Sequence, residues 1–287
     1  MSRIAYVNGR YLEHSNAVVH VEDRGYQFAD GVYEVCEIAR GFIIDVTRHL
    51  DRLERSLSEL GIIWPMHRSA LELILKEVVR RNRVFNGLVY LQITRGVARR
   101  DHPFPKANVR PAMVVTAKRI DPEVMSLKAG RGIKVITVPD NRWERVDIKT
   151  IGLLPNVLAR QKAIEEGADD AWFVDPDGTV KEGSASNAWI VTPQGQLVTR
   201  PAESGILRGV TRTTVLDVVA KLGMTFEERP FTVEEATNAR EAFVTSASAV
   251  VMPVVAINSV AVANGHPGSV SCSLRDAFFD VAEKTQP

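Results

Sequence analysis

The run Val32–Ala39, Arg40-Gly41, Phe42–Val46 leads directly into Leu50, Leu53, Leu57 and Leu60, and it restricts the fold more than any other part of the chain. Two strand-forming stretches joined by a short glycine turn are a hairpin signal, and leucines at helical spacing with Gly61 as a stop make the next element an amphipathic helix. Ile4–Val7, Asn8-Gly9 and Tyr11-Leu12 form a second hairpin signal. A further helix is predicted from Ser69 to Arg83, with Leu71, Leu75, Val78 and Val79 on one side, and strands at Leu88–Arg95 and Ala112–Lys118. Residues 1–119 therefore read as an α+β domain.

Asp121-Pro122 through Ala129-Gly130-Arg131-Gly132 is polar and turn-rich, so residues 120–131 read as a linker. Residues 132–287 read as a second α+β domain. It has strands at Ile133–Val138, Ala188–Val191, Gln196–Thr199, Ala242–Thr245 and Val250–Ile257, and helices at Asn156–Glu166 and Gly209–Leu222. Two such domains predict a small-molecule site in the cleft between them.

Composition narrows the function classes. At 45% hydrophobic and 25% charged, 287 residues can bury an ordinary core. A net charge of +1 without a basic stripe argues against nucleic acid as a partner. The most apolar stretch, Ala242–Ile257, is broken by Thr245, Ser246, Ser248 and Pro253, which suits buried strands and not a membrane span. Met1 to Tyr6 lacks the apolar run of a signal peptide. Cys36 and Cys272 are far apart and outside metal-ligand spacing, so zinc chemistry is not expected. Both read as reduced, structural cysteines of a cytoplasmic protein, Cys36 as a small core residue.

Four segments could carry chemistry. Lys149 has apolar neighbours on both sides in Val146-Asp147-Ile148-Lys149-Thr150-Ile151-Gly152. It is either a lysine that reaches water from an edge strand or a partly desolvated amine able to form a Schiff base. Ser204-Gly205-Ile206-Leu207-Arg208-Gly209-Val210-Thr211 opens a helix, whose unpaired N–H groups either cap or bind an anion. Glu182, in Lys181-Glu182-Gly183-Ser184, is either a solvated turn residue or a carboxylate placed beside a pyridine nitrogen. Thr94 to Pro105, with Arg99, Arg100 and His102, is either a solvated basic loop or a grip for carboxylates.

In this order and at these separations, the segments resemble the class IV aminotransferases, the fold-type IV group of pyridoxal 5′-phosphate (PLP) enzymes. The likeness includes Tyr6-Val7-Asn8-Gly9, Asp23-Arg24-Gly25, Asp30-Gly31-Val32-Tyr33-Glu34, His49-Leu50-Asp51-Arg52-Leu53, Asp147-Ile148-Lys149, Asn156-Val157-Leu158-Ala159, Glu182-Gly183-Ser184 and Gly205-Ile206-Leu207. It implies a two-domain α+β fold like that of D-amino-acid aminotransferase, a homodimer, PLP as cofactor, and amino acids and 2-oxo acids as substrates. Lys149 then matches the Schiff-base lysine and Glu182 the partner of the ring nitrogen. Arg52 matches the phosphate-binding arginine, and its place off the leucine stripe leaves it to reach a cleft. Val210 and Thr211 match the phosphate-binding helix start, Leu207 the residue packed on the ring, and Tyr33 an active-site tyrosine.

Within the group, Arg100-x-His102 resembles the trap that, with the tyrosine, holds the α-carboxylate in D-amino-acid transaminases. The resemblance thus implies ping-pong transfer between a D-amino acid and a 2-oxo acid. Branched-chain aminotransferases carry an arginine in the strand matching Val89–Thr94, which has none here, and the Arg-x-His loop argues against aminodeoxychorismate lyase. Two positions depart from the pattern. Arg99 stands where proline is usual, and Ala247 stands where a threonine usually meets the phosphate, leaving that contact to backbone N–H groups there or to Ser246.

Overall fold

The computed structural model describes residues 3–106, 109–203 and 205–287. The chain divides into two compact units, Met1–Asp121 with Ile148–Gly152 and Glu283–Pro287, and Pro122–Asp147 with Leu153–Ala282.

The first unit is an antiparallel sheet backed by helices. Its elements are β1 (Ile4–Val7), β2 (Arg10–Glu13), α1 (Arg24–Phe28), β3 (Gly31–Ala39), β4 (Phe42–Ile44), α2 (Val46–Glu59), α3 (Arg68–Asn82), β5 (Gly87–Thr94) and β6 (Ala112–Arg119). Both predicted hairpins form, Val7 pairing with Arg10 and Ala39 with Phe42. The strands run β4-β3-β5-β6-β1-β2, and Lys284–Thr285 adds a short strand against β4. Alternation along β3 buries Val32, Cys36 and Ile38 against Leu50, Leu53 and Leu57 of α2 and Leu71, Leu75, Val78 and Val79 of α3. Burial of such side chains contributes roughly 1.5–3 kcal/mol each. Glu34 lies on that same buried face.

In the second unit, α4 (Pro122–Arg131) occupies the residues expected to be a linker. The polar run there is the solvated side of a helix that buries Ala129 in the core of its unit. It continues with β7 (Ile133–Pro139), α5 (Leu154–Glu165), β8 (Asp170–Val174), β9 (Val180–Gly183), β10 (Asn187–Val191), β11 (Leu197–Thr199), α6 (Val210–Lys221) and β12 (Phe226–Glu228). Then come α7 (Val233–Thr237), β13 (Glu241–Ser246), β14 (Val250–Ile257), β15 (Val260–Ala261) and α8 (Ser269–Phe278). The strand order is β12-β11-β10-β13-β14-β7-β8-β9. Because β9 pairs with β10 as well as β8, the strands between them close on themselves and leave no edge there. Trp172, Val180, Ala188, Val244, Met252 and Phe231 share the core of this unit.

Two boundaries differ from expectation. Ile148–Gly152 and the final five residues, assigned by sequence to the second domain, belong to the first unit. Backbone pairing explains the former. Val32 bridges Thr150, Tyr33 N–H donates to Lys149 C=O at 3.0 Å, and Ile151 N–H donates to Gly31 C=O at 3.1 Å.

Candidate active site

In the first unit the functional side chains gather on β3 and α2. Lys149 is tied to β3 through its backbone, and its own N–H faces the Ser56 hydroxyl of α2 at 3.4 Å. Its side chain is half-buried, with Nζ 4.3 Å from the centre of the Tyr33 ring. Tyr33 in turn stacks on Tyr90 of β5, ring centres 5.7 Å apart. Burial, and then the neighbouring Tyr33 phenol, push the Tyr90 hydroxyl up to about 12. The amine thus stands against an aromatic wall on a pinned backbone.

Arg52 does not extend as a free arm. Its Nε and Nη2 donate to the two oxygens of Glu34, each at 2.8 Å, a fork matched to a carboxylate. Glu34 also accepts from His49 Nδ1 at 2.6 Å. Burial alone would raise the Glu34 carboxyl, but the Arg52 guanidinium and His49 outweigh it and hold the carboxyl far below the usual carboxylate range. An ionised Glu34 can only accept, so the proton of a neutral His49 sits on Nδ1. Burial holds the His49 ring below its ordinary value despite the carboxylate beside it. Sequence reasoning assigned no role to Glu34 or His49. The available signal was a charged residue at a core-facing position of an alternating strand.

Arg100 and His102 are brought together. The Arg100 guanidinium lies 5.2 Å from the centre of the Phe28 ring and the His102 ring 5.7 Å from the same centre. Both are exposed, as is Arg99. No hydrogen bond or ring contact joins Tyr33 to this loop among the described residues. β5 contains no arginine, and Arg95, just beyond its end, is committed to Asp30.

In the second unit, Glu182 stands where β9 meets β10. Asn187 is its register partner and donates Nδ2 to Glu182 Oε2 at 3.1 Å. Leu207 N–H reaches the same oxygen at 3.2 Å, and Arg142 Nη1 reaches Oε1 at 2.6 Å. Asn187 also donates to the Leu207 carbonyl at 2.9 Å, so the expected residues Glu182 and Leu207 share one neighbourhood. Glu182 is 4% exposed, so it is a buried ionic group and not a solvated turn residue. Arg142 continues to Asp140 through Nε at 2.9 Å and Nη2 at 3.0 Å.

Leu207 leads into α6, where Val210 and Thr211 are buried. Gly209, at the N-cap, supplies no capping side chain, so the first-turn N–H groups have no such partner. A Cβ at Gly209 would fall 2.0 Å from Asn187 Oδ1, so only glycine lets the chain pass this close. Ser204 lies outside the described residues. Ser246 is half-buried with its hydroxyl 3.3 Å from that of Ser248, and Ala247 follows it in the turn between β13 and β14. Among the described residues no group of His, Cys, Asp and Glu could hold a metal ion.

These donor sets fit PLP. In the first unit, an arginine held by a carboxylate suits a phosphate and a half-buried lysine suits an aldehyde; in the second, the uncapped start of a twelve-residue helix suits a phosphate and a buried carboxylate suits a pyridinium.

The family model described as amino-transferase class IV matches residues 31–257. The chain is 40% identical over 282 residues to a D-alanine aminotransferase of Bacillus licheniformis, covering 97% of this chain and 98% of that protein. It is 38% identical over 273 residues to a D-alanine aminotransferase of Staphylococcus haemolyticus, covering 95% of each. A branched-chain amino acid aminotransferase from T.th., solved with pyridoxamine 5′-phosphate, superposes with a TM-score of 0.88 at 26% identity, covering 98% of this chain and 94% of that one. With a family match over most of its length and such relatives along nearly all of it, this chain belongs to the class IV aminotransferases, the PLP-dependent enzymes of this fold that transfer amino groups.

Proposed function

We propose that the chain transfers the amino group of a D-amino acid to a 2-oxo acid in two half-reactions, as in conversion of D-alanine and 2-oxoglutarate to pyruvate and D-glutamate. The observation that carries the D-specific reading is the placement of Arg100 and His102 on one ring, Phe28, beside a β5 strand with no arginine. The relatives named D-alanine aminotransferases support it.

Bound PLP supplies an electron-withdrawing ring that stabilises negative charge at the substrate α-carbon. Lys149 would hold the cofactor through its amine and would carry the proton that leaves the substrate α-carbon. Glu182 would accept from the ring nitrogen and favour the cationic ring, with Arg142 paired to that carboxylate. Arg52, with Val210 and Thr211 at the start of α6, holds the phosphate, and Ser246 and the Ala247 backbone complete its surroundings. Leu207 packs against the ring. Arg100 and His102, with Tyr33, grip the α-carboxylate, and the point of grip decides which face of the α-carbon meets Lys149.

Amino acids and 2-oxo acids are then the partners, and the chain acts as a homodimer in the cytoplasm. No helix of the described residues is long and apolar enough to cross a membrane. Sedimentation of the purified protein tests the dimer. The substrate assignment is tested by incubating the PLP-loaded protein with D-alanine or L-leucine plus 2-oxoglutarate. D-Glutamate formed from D-alanine supports it. Turnover of L-leucine alone would replace it with branched-chain transamination, and pyruvate release from aminodeoxychorismate alone with the lyase.

A further inference from the structure

The loop that carries Arg100 and His102 is held by charged groups to which the proposed reaction gives no role. Asp30 Oδ2 accepts from Arg24 Nε at 2.8 Å and from Arg95 Nε at 2.7 Å, and all three side chains are under a tenth exposed. One carboxylate therefore orients two buried guanidinium groups.

Each arginine directs its remaining donors at backbone carbonyls. Arg95 donates to Leu60 and Gly61, at 2.7 and 3.2 Å, and its guanidinium covers the Phe104 ring at 3.6 Å. Arg24 donates Nη1 to the Asp101 carbonyl at 2.7 Å and Nη2 to that of His102 at 3.3 Å. These two carbonyls belong to successive residues of the loop, the second of them His102 itself. Arg24 also lies 4.7 Å from the centre of the Phe28 ring, the ring shared by Arg100 and His102.

The base of the loop is fixed by the same segment. Arg24 N–H donates to the Gly96 carbonyl at 2.9 Å, and Asp23 bridges Val97. Gly96 has φ +100°, and a Cβ there would sit 2.1 Å from the Arg110 carbonyl oxygen.

We propose that Arg24, acting with Phe28, is the positioning residue for carboxylate recognition: it holds the Asp101 and His102 carbonyls so that Arg100 and His102 stand together against one ring. The proposal rests on the reading of Arg100 and His102 as the carboxylate grip. A lysine at position 24 could keep the charge facing Asp30, but one ammonium cannot reproduce a fork that spans a carboxylate and two carbonyls.

The test uses the PLP-loaded R24K enzyme. Expected are a rise in KM for both D-alanine and 2-oxoglutarate of about tenfold or more, little change in kcat, unaltered PLP uptake, and faster amide hydrogen exchange confined to residues 99–104. If R24K does not fold, Phe28→Leu leaves the Asp30 pairs in place and is expected to show the same split. Unchanged KM, or kcat lost together with PLP, would overturn the proposal. Arg100→Ala is run alongside. If it leaves KM unchanged, the carboxylate grip itself is wrong, whereas a raised KM in Arg100→Ala with a wild-type R24K rejects only the positioning role.

Discussion

The Lys149 amine stands 4.3 Å above the ring of Tyr33, and the backbones of the two residues are joined by a hydrogen bond from Tyr33 N–H to the Lys149 carbonyl. Residues far apart in the chain are thereby held as a single unit of backbone and ring. Lys149→Arg keeps a cation on that ring but removes the nucleophile. Its melting temperature should stay near wild type while transamination falls by about 10³-fold or more. Borohydride should attach PLP covalently to the wild-type protein and not to the variant, as peptide mass analysis would show.

Glu34 ties Arg52 to His49 inside the first unit. Glu34→Gln leaves a nearly buried guanidinium without its counter-charge, a loss that typically costs about 3–5 kcal/mol. Urea unfolding should report that drop. Titration of the apoprotein should show weaker PLP binding, because the fork that aims Arg52 is gone. Intact PLP affinity in a folded Glu34→Gln protein would separate Arg52 from the phosphate.

The same cluster sets an acid limit. Burial places the folded His49 below its ordinary value of about 6.5, so on acidification the unfolded chain takes up that proton first. Stability should fall as pH drops below that value and be level above it. Glu34 acts in the same direction at lower pH, since its contribution is present above the ordinary carboxyl range and is lost below it. Unfolding free energies measured between about pH 5 and pH 8 in wild type and His49→Asn check this, with a flatter profile in the variant.

Gly209→Ala puts a methyl group where Asn187 Oδ1 now lies. Asn187 would swing away from Glu182 and from the Leu207 carbonyl, disturbing both the carboxylate and the entry to α6. PLP binding should weaken by roughly tenfold, for about 1.4 kcal/mol. Stability should drop by about 1–3 kcal/mol for strain in a packed site. Equilibrium titration and thermal melting give the two readings.

Much of this was legible in the residues. Glycine turns at Gly9 and Gly41 and the leucines of α2 marked the first unit, since tight turns and apolar periods are local properties. Lys149 and Glu182 stand out as candidates from their neighbours in the chain, whereas the role of Leu207 comes only from the family resemblance. What escaped was pairing over distance. Glu34 meets a helix further along the chain, Asn187 meets Leu207, and Asp30 joins Arg24 to Arg95, none of which leaves a spacing pattern. Residues 120–131 misread because a helix with one buried alanine resembles a polar linker. The run 148–152 changed unit because strand pairing and not composition decides its neighbours.

That excursion of five residues has a consequence for how the molecule can be cut. A fragment ending at Asp121 would contain Arg52, Tyr33 and the Arg100 loop but not Lys149, and β3 would lack the partner it takes from Thr150. The first unit is complete only once residues 148–152 and 283–287 are also present. Gene fusions or swaps that join halves near residue 121 would carry the lysine along with the wrong half.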